Sequence, residues 1–105
     1  MQMRGGMNEV LRQAARLQRK IEETKAAFSS QTLEVTGAND KVKVTASLAR
    51  EVVRIEIDPA FLAEDREFAL DAAVGTINAA LKKASDAMEA ELNKVTGGVK
   101  IPGVL

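Results

Sequence analysis

Four cations on one short stretch are the residues best placed to do chemistry: Arg12, Arg16, Arg19 and Lys20. On a helix, at about 100° per residue, they fall within an arc of about 100°. Guanidinium forks match phosphate oxygens two at a time, and spaced cations release counterions from a duplex. The pattern therefore suits the backbone of double-stranded DNA. The competing reading is a solvated helix face, partly tied by Arg19 and Lys20 to Glu23. Lys82 and Lys83 form a second cationic pair farther along the chain. Asp86 offers Lys82 a partner four residues on, so a solvated pair competes there as well. All six are carried as candidate DNA contacts. Lys41, Lys43 and Arg54 have acidic neighbours such as Glu34 and Glu56, and read as charges on a sheet face.

Other chemistries find little support. The chain of 105 residues has no His and no Cys. That removes the commonest general base, the thiol nucleophile and the commonest transition-metal ligands. Glu64, Asp65 and Glu67 sit close together but form no calcium loop. Gly5-Gly6 and Gly97-Gly98 lack the strand, loop and following Lys-Ser/Thr of a phosphate loop. No catalytic residue, metal site or cofactor is expected. The aromatic residues are Phe28, Phe61 and Phe68 alone, too few for a base-stacking platform. No apolar run approaches the roughly 18 residues that span a bilayer, and no leader pattern opens the chain. These features predict a cytoplasmic chain without a membrane partner, in keeping with the reducing compartment that a lack of cysteine fits.

The length predicts one domain, 1–105. From 7 to 30 the period is helical: Met7, Ala14, Ile21 and Phe28 recur every seventh residue, with Val10, Leu17 and Thr24 between them. Gly5-Gly6 reads as a breaker before this helix. From 31 to 58 the period is two, in runs Leu33–Val35, Val42–Ala46 and Val53–Ile57. The connections are too short for parallel crossovers, which predicts an antiparallel meander of three strands. Asp58-Pro59 opens the block 59–96 as N-cap and first helical residue. Pro59 to Ala63 reads as a separate turn before the main helix. In that helix Leu70, Val74, Ile77, Leu81, Ala84 and Met88 step by four and three. Gly97 and Gly98 stop it. The tail 97–105 is apolar apart from Lys100, and either docks or hangs free. The fold class is α+β: long helix, three-stranded meander, long helix.

Residues 66–94 make a helix of roughly 43 Å, longer than the roughly 34 Å diameter of a compact chain this size. The second helix is therefore expected to overhang its core with an apolar seam reaching Met88 and Leu92. Such a seam needs cover, most simply from a second copy, or else from helix one. Charge is segregated too. Lys plus Arg is 15 and Asp plus Glu is 15. Yet the first helix, from Arg4 to Phe28, carries six cations and three anions, whereas Pro59–Thr96 carries four and seven. A dimer would double the cationic stripe without altering the neutral total.

Several short motifs, taken in order, carry a family resemblance. They are Gly5-Gly6-Met7 followed by Leu11-Arg12-Gln13-Ala14, then Leu33-Glu34-Val35-Thr36-Gly37 and Val42-Lys43-Val44-Thr45. Ile55-Glu56-Ile57-Asp58-Pro59, Asn78-Ala79-Ala80 and Gly97-Gly98-Val99-Lys100-Ile101-Pro102-Gly103 follow. The chain resembles the YbaB/EbfC family of bacterial nucleoid-associated proteins over most of its length. It departs in the turns, where Ala38-Asn39-Asp40 and Ser47-Leu48-Ala49-Arg50 replace stretches often richer in glycine. The resemblance implies a tweezer-like homodimer that binds double-stranded DNA in the nucleoid, without catalysis. It names no DNA-contacting positions, so the six cations rest on charge geometry. The alternative is a non-catalytic protein–protein interaction module that grips a partner through the tail Val99–Leu105.

Overall fold

The computed structural model describes residues 2–97, with side chains from residue 6 onward. Helix α1 covers Gln2–Phe28. It runs through Gly5-Gly6, where the sequence predicts a break. Each helical glycine costs only about 1 kcal/mol relative to alanine, so two of them weaken a helix without ending it. Strands β1 (Thr32–Gly37), β2 (Val42–Ser47) and β3 (Val52–Ile57) follow. They pair antiparallel in the order β1-β2-β3, the meander predicted from period and loop length. Helix α2 is Pro59–Glu64 and helix α3 is Arg66–Thr96. The expected separate turn is thus a short helix of its own.

Local chemistry sets these boundaries. The Asp58 carboxylate accepts hydrogen bonds from the N–H groups of Ala60 (2.9 Å) and Phe61 (3.1 Å), and caps α2 behind Pro59. Asp65 accepts from the Phe68 N–H at 3.1 Å and caps α3 in the same way. Gly97 takes the left-handed conformation at φ 65° and ends α3. The β1–β2 turn takes positive φ at Ala38, Asn39 and Asp40 without a glycine. Asn and Asp tolerate that region better than other side chains do.

The register places Leu33, Val35, Val42, Val44, Ala46, Ile55 and Ile57 on one face of the sheet. Glu34, Thr36, Lys43, Thr45, Arg54 and Glu56 occupy the other. Helix α3 lies on the apolar face, mainly across β1 and β2. Val42, Val44, Ala46, Ala73, Ala80 and Ala84 form the buried core. The alanines matter because a helix rides close to a sheet only over small side chains. Leu33, Val35, Ile57, Phe61, Ile77 and Leu81 fill its margins.

The far end of the second helix finds its cover in helix one, the second of the two covers expected for it. Ser85 and Met88 of α3 share a hollow with Lys25 of α1 and with Ser29 just beyond it. Ile21 and Leu92 are both buried. The far half of the α3 seam is therefore covered by α1 within the same chain. The bare half is the near one, where Phe68, Leu70 and Val74 are 59%, 48% and 57% exposed. It is α1 that projects: every residue from Gly6 to Arg16 is exposed. The molecule reaches 76 Å in its longest direction, and its radius of gyration is 20.0 Å, against about 13 Å for a compact chain. The tail beyond Gly97, which the sequence allows either to dock or to hang free, lies outside the described residues.

Candidate nucleic-acid interface

Helix α1 positions the first four candidate contacts by its own packing. Leu17, Thr24 and Phe28 are half-buried and Ile21 is buried, so the seam side of α1 turns toward α3. The opposite side must then face solvent. Arg12, Arg16, Arg19 and Lys20 are all exposed there. Arg12 to Lys20 spans about 12 Å along the helix axis. That covers three to four base-pair rises at about 3.4 Å each.

The charges on this face are largely unspent. Arg12 reaches Glu9 at 3.6 Å across one exposed helical turn. Exposed pairs of this kind contribute at most about 1 kcal/mol and yield readily to a stronger anion. Among the described residues Arg16, Arg19 and Lys20 have no ion-pair partner. The partial tie of Arg19 and Lys20 to Glu23 does not form, and their exposure is common to the solvated-face and the phosphate readings. Glu9 and Glu23 still lie near the stripe, which tempers its potential.

Lys82 and Lys83 stand on another helix, and no ion pair or hydrogen bond among the described residues joins them to the α1 stripe. Lys82 is held by Asp86 at 3.0 Å, as its spacing suggests. Lys83 is exposed, with no ion-pair partner among the described residues. On the sheet, Arg54 pairs with Glu56 at 2.9 Å on the polar face, in line with its reading as a sheet charge. Among the described residues no group of three or more acidic side chains is placed to hold a metal ion. No helix among them is long and apolar enough to cross a membrane.

Lys25 is the cation that helix counting alone passes over. It shares its angular position with Met7, on the seam side of α1. It is half-buried and faces a hollow between α1 and α3. Its angle is the signal that could have found it.

Comparison with known proteins bears on the whole of this arrangement. The model of the YbaB/EbfC DNA-binding family matches residues 3–99. A "Nucleoid-associated protein" of Pelotomaculum thermopropionicum is 36% identical over 103 residues, covering 97% of this chain and 98% of its own. A protein of the same description from Myxococcus xanthus is 36% identical over 99 residues, with 93% and 94% covered. The crystal structure of an uncharacterized Helicobacter pylori protein superimposes with a TM-score of 0.64 at 16% identity, covering 73% of this chain and 90% of that one. That likeness concerns the fold alone. With a family model spanning the three helices and the sheet, and relatives matched over nearly their whole length, the chain belongs to the YbaB/EbfC DNA-binding family.

Proposed function

We propose that this protein binds double-stranded DNA as a homodimer and takes part in organising the bacterial nucleoid within the cytoplasm. The observation that carries the reading is the projecting α1 arm. It offers Arg12, Arg16, Arg19 and Lys20 on a solvent-facing side, three of them without an ion-pair partner among the described residues. Membership of a DNA-binding family and the naming of relatives as nucleoid-associated support it. Affinity comes mainly from phosphate contacts, which position a protein on the duplex without reading its sequence. Lys82 and Lys83 add secondary contacts, Lys82 by exchanging a weak exposed partner for phosphate.

The homodimer is supported by surface that one copy leaves bare. The chain exposes 7527 Å², against roughly 5,700 Å² for a compact monomer of its mass. Leu70 and Val74 on α3 and Val52, Val53 and Ile55 on β3 are among the large apolar side chains left open. Because α3 lies mainly on β1 and β2, the apolar side of β3 is open beyond Ile57, where Val52 and Ile55 are exposed. A second copy covers these residues by presenting the same ones.

A mobility-shift titration on random-sequence duplex at two salt concentrations tests the DNA reading. The variant Arg12→Ala/Arg16→Ala/Arg19→Ala/Lys20→Ala is expected to bind at least about tenfold more weakly at low salt. Removing one phosphate-neutralising cation lowers the salt slope by about 0.9. Equal affinity and equal slope in variant and wild type remove the stripe from the interface.

A further inference from the structure

We propose that the hollow between α1, α3 and the β2–β3 turn is a binding site for a small organic anion, a phosphate or carboxylate carried on an apolar body. The hollow has a volume of about 300 Å³. Ligand pockets begin at about that size, and a water molecule occupies roughly 30 Å³ of liquid. The space is too large for a bare ion alone.

Its lining divides into a charged rim and an apolar floor. Lys25 comes from α1 and Arg50 from the turn, while Ser29, just past the end of α1, and Ser85 of α3 each add a hydroxyl. Leu48, 7% exposed, and Met88, half-buried, form the floor. No lining residue is acidic. Among the described residues neither Lys25 nor Arg50 has an ion-pair partner. A lysine on the packing side of a helix ordinarily meets a carboxylate or reaches past its neighbours into water. Here it faces a hollow shared with a second cation.

The backbone of the β2–β3 turn sets the position of the rim. Arg50 sits at φ 64°, in the left-handed region, where glycine or asparagine is the low-cost choice. Ala38, Asn39 and Asp40 take the same region in the β1–β2 turn, so at Arg50 the conformation belongs to the hairpin and fixes where its side chain leaves the turn. The turn itself is fixed: the Arg50 N–H donates to the Ser47 carbonyl at 2.9 Å, and the Leu48 N–H to the Gln31 carbonyl at 2.9 Å. The guanidinium is thus carried on a rigid support at the rim. The hollow also stands apart from the DNA-contacting stripe, since Lys25 lies on the seam side of α1 and the stripe on the other.

Hexyl phosphate is a suitable probe, with inorganic phosphate and hexanol as its two halves. Titration of the full chain by calorimetry, with amide shifts followed by NMR, is expected to show hexyl phosphate binding more tightly than either half. The shifts should centre on Lys25, Leu48, Arg50 and Ser85. Lys25→Gln and Arg50→Gly should each weaken binding about tenfold or more, as expected for one charged hydrogen bond. Arg50→Gly also relieves the backbone, so it should melt no lower than wild type, which separates a missing charge from a damaged fold. Unchanged affinity in both variants overturns the proposal, as does hexanol binding as well as hexyl phosphate. A third outcome also overturns it: no hexyl phosphate binding, with duplex affinity reduced in both variants. The hollow would then be a seat for the DNA backbone.

Discussion

A close approach between two residues decides how tightly α3 lies on the sheet. Gly37 ends β1, and a Cβ built there collides with Thr76 Oγ1 on α3. Thr76 is buried, and its hydroxyl donates to the Ala72 carbonyl at 2.7 Å. That hydrogen bond holds the hydroxyl in place, so it cannot swing aside for a methyl group. Gly37→Ala is therefore expected to destabilise by about 1–3 kcal/mol, the usual cost of overpacking. Thr76→Ala removes the obstructing atom together with its local hydrogen bond. The double variant should recover most of the stability that Gly37→Ala forfeits, a coupling that denaturant melts on the four proteins measure. Additive effects would mean that α3 shifts away rather than pressing on Thr76. The same scale holds what the sequence conceals. Asp58, Asp65 and Gly97 act through short-range backbone geometry, so their capping roles are readable or nearly so. Gly37 depends on what lies across a tertiary contact, which no spacing rule contains, whereas for Lys25 the helical angle marks the packing side but not the hollow it meets.

Among the elements, α3 shows why one face is legible and another is not. The stripe Leu70, Val74, Ile77, Leu81, Ala84 and Met88 has helical period and large side chains, so it stands out. A second stripe, Ala69, Ala73, Thr76, Ala80 and Ala84, has the same period. It is the buried one. Small side chains let α3 approach β2, where Val42, Val44 and Ala46 are fully buried. Apolar weight favours the wrong stripe because alanine adds little area while permitting close approach. Of the large stripe, Ile77, Leu81 and Ala84 join or border the core, α1 covers the far end, and the near end at Leu70 and Val74 is bare. In the proposed dimer that near end is interface. Leu70→Glu/Val74→Glu should then give a monomer in sedimentation equilibrium. Its thermal melting at low concentration should stay close to that of wild type, since both sites are exposed in one copy. A variant that remains dimeric places the interface elsewhere. The three strands, by contrast, are legible in order and direction, because their short connections leave antiparallel pairing as the sole arrangement, but the register shift between Thr45 and Ala46 that starts β3 at Val52 is not.

For the molecule as a whole, shape and charge have to be considered together. Fifteen cations and fifteen anions leave no net charge, so attraction for a polyanion depends on the cationic excess of the first helix rather than on the molecule's total. Binding must come from local contacts on an extended body. One copy presents four stripe cations on α1, and two copies present eight. Counterion release gives a slope of about 0.9 per neutralised phosphate in the plot of log affinity against log salt. A dimer using both stripes should show a slope approaching about 7, and a monomer one of roughly half that. The Leu70→Glu/Val74→Glu variant therefore serves as a test of assembly on DNA as well as in solution. It leaves every stripe cation in place, so a change in slope cannot come from cations removed from α1. Measured beside wild type across a salt series, the variant is expected to bind more weakly at low salt and to lose affinity less steeply. A wild-type slope already near the monomer value would mean that the second arm stays off the duplex. In that case each stripe would act alone, and the 76 Å length of the chain would space binding sites along DNA rather than grip one site from two sides.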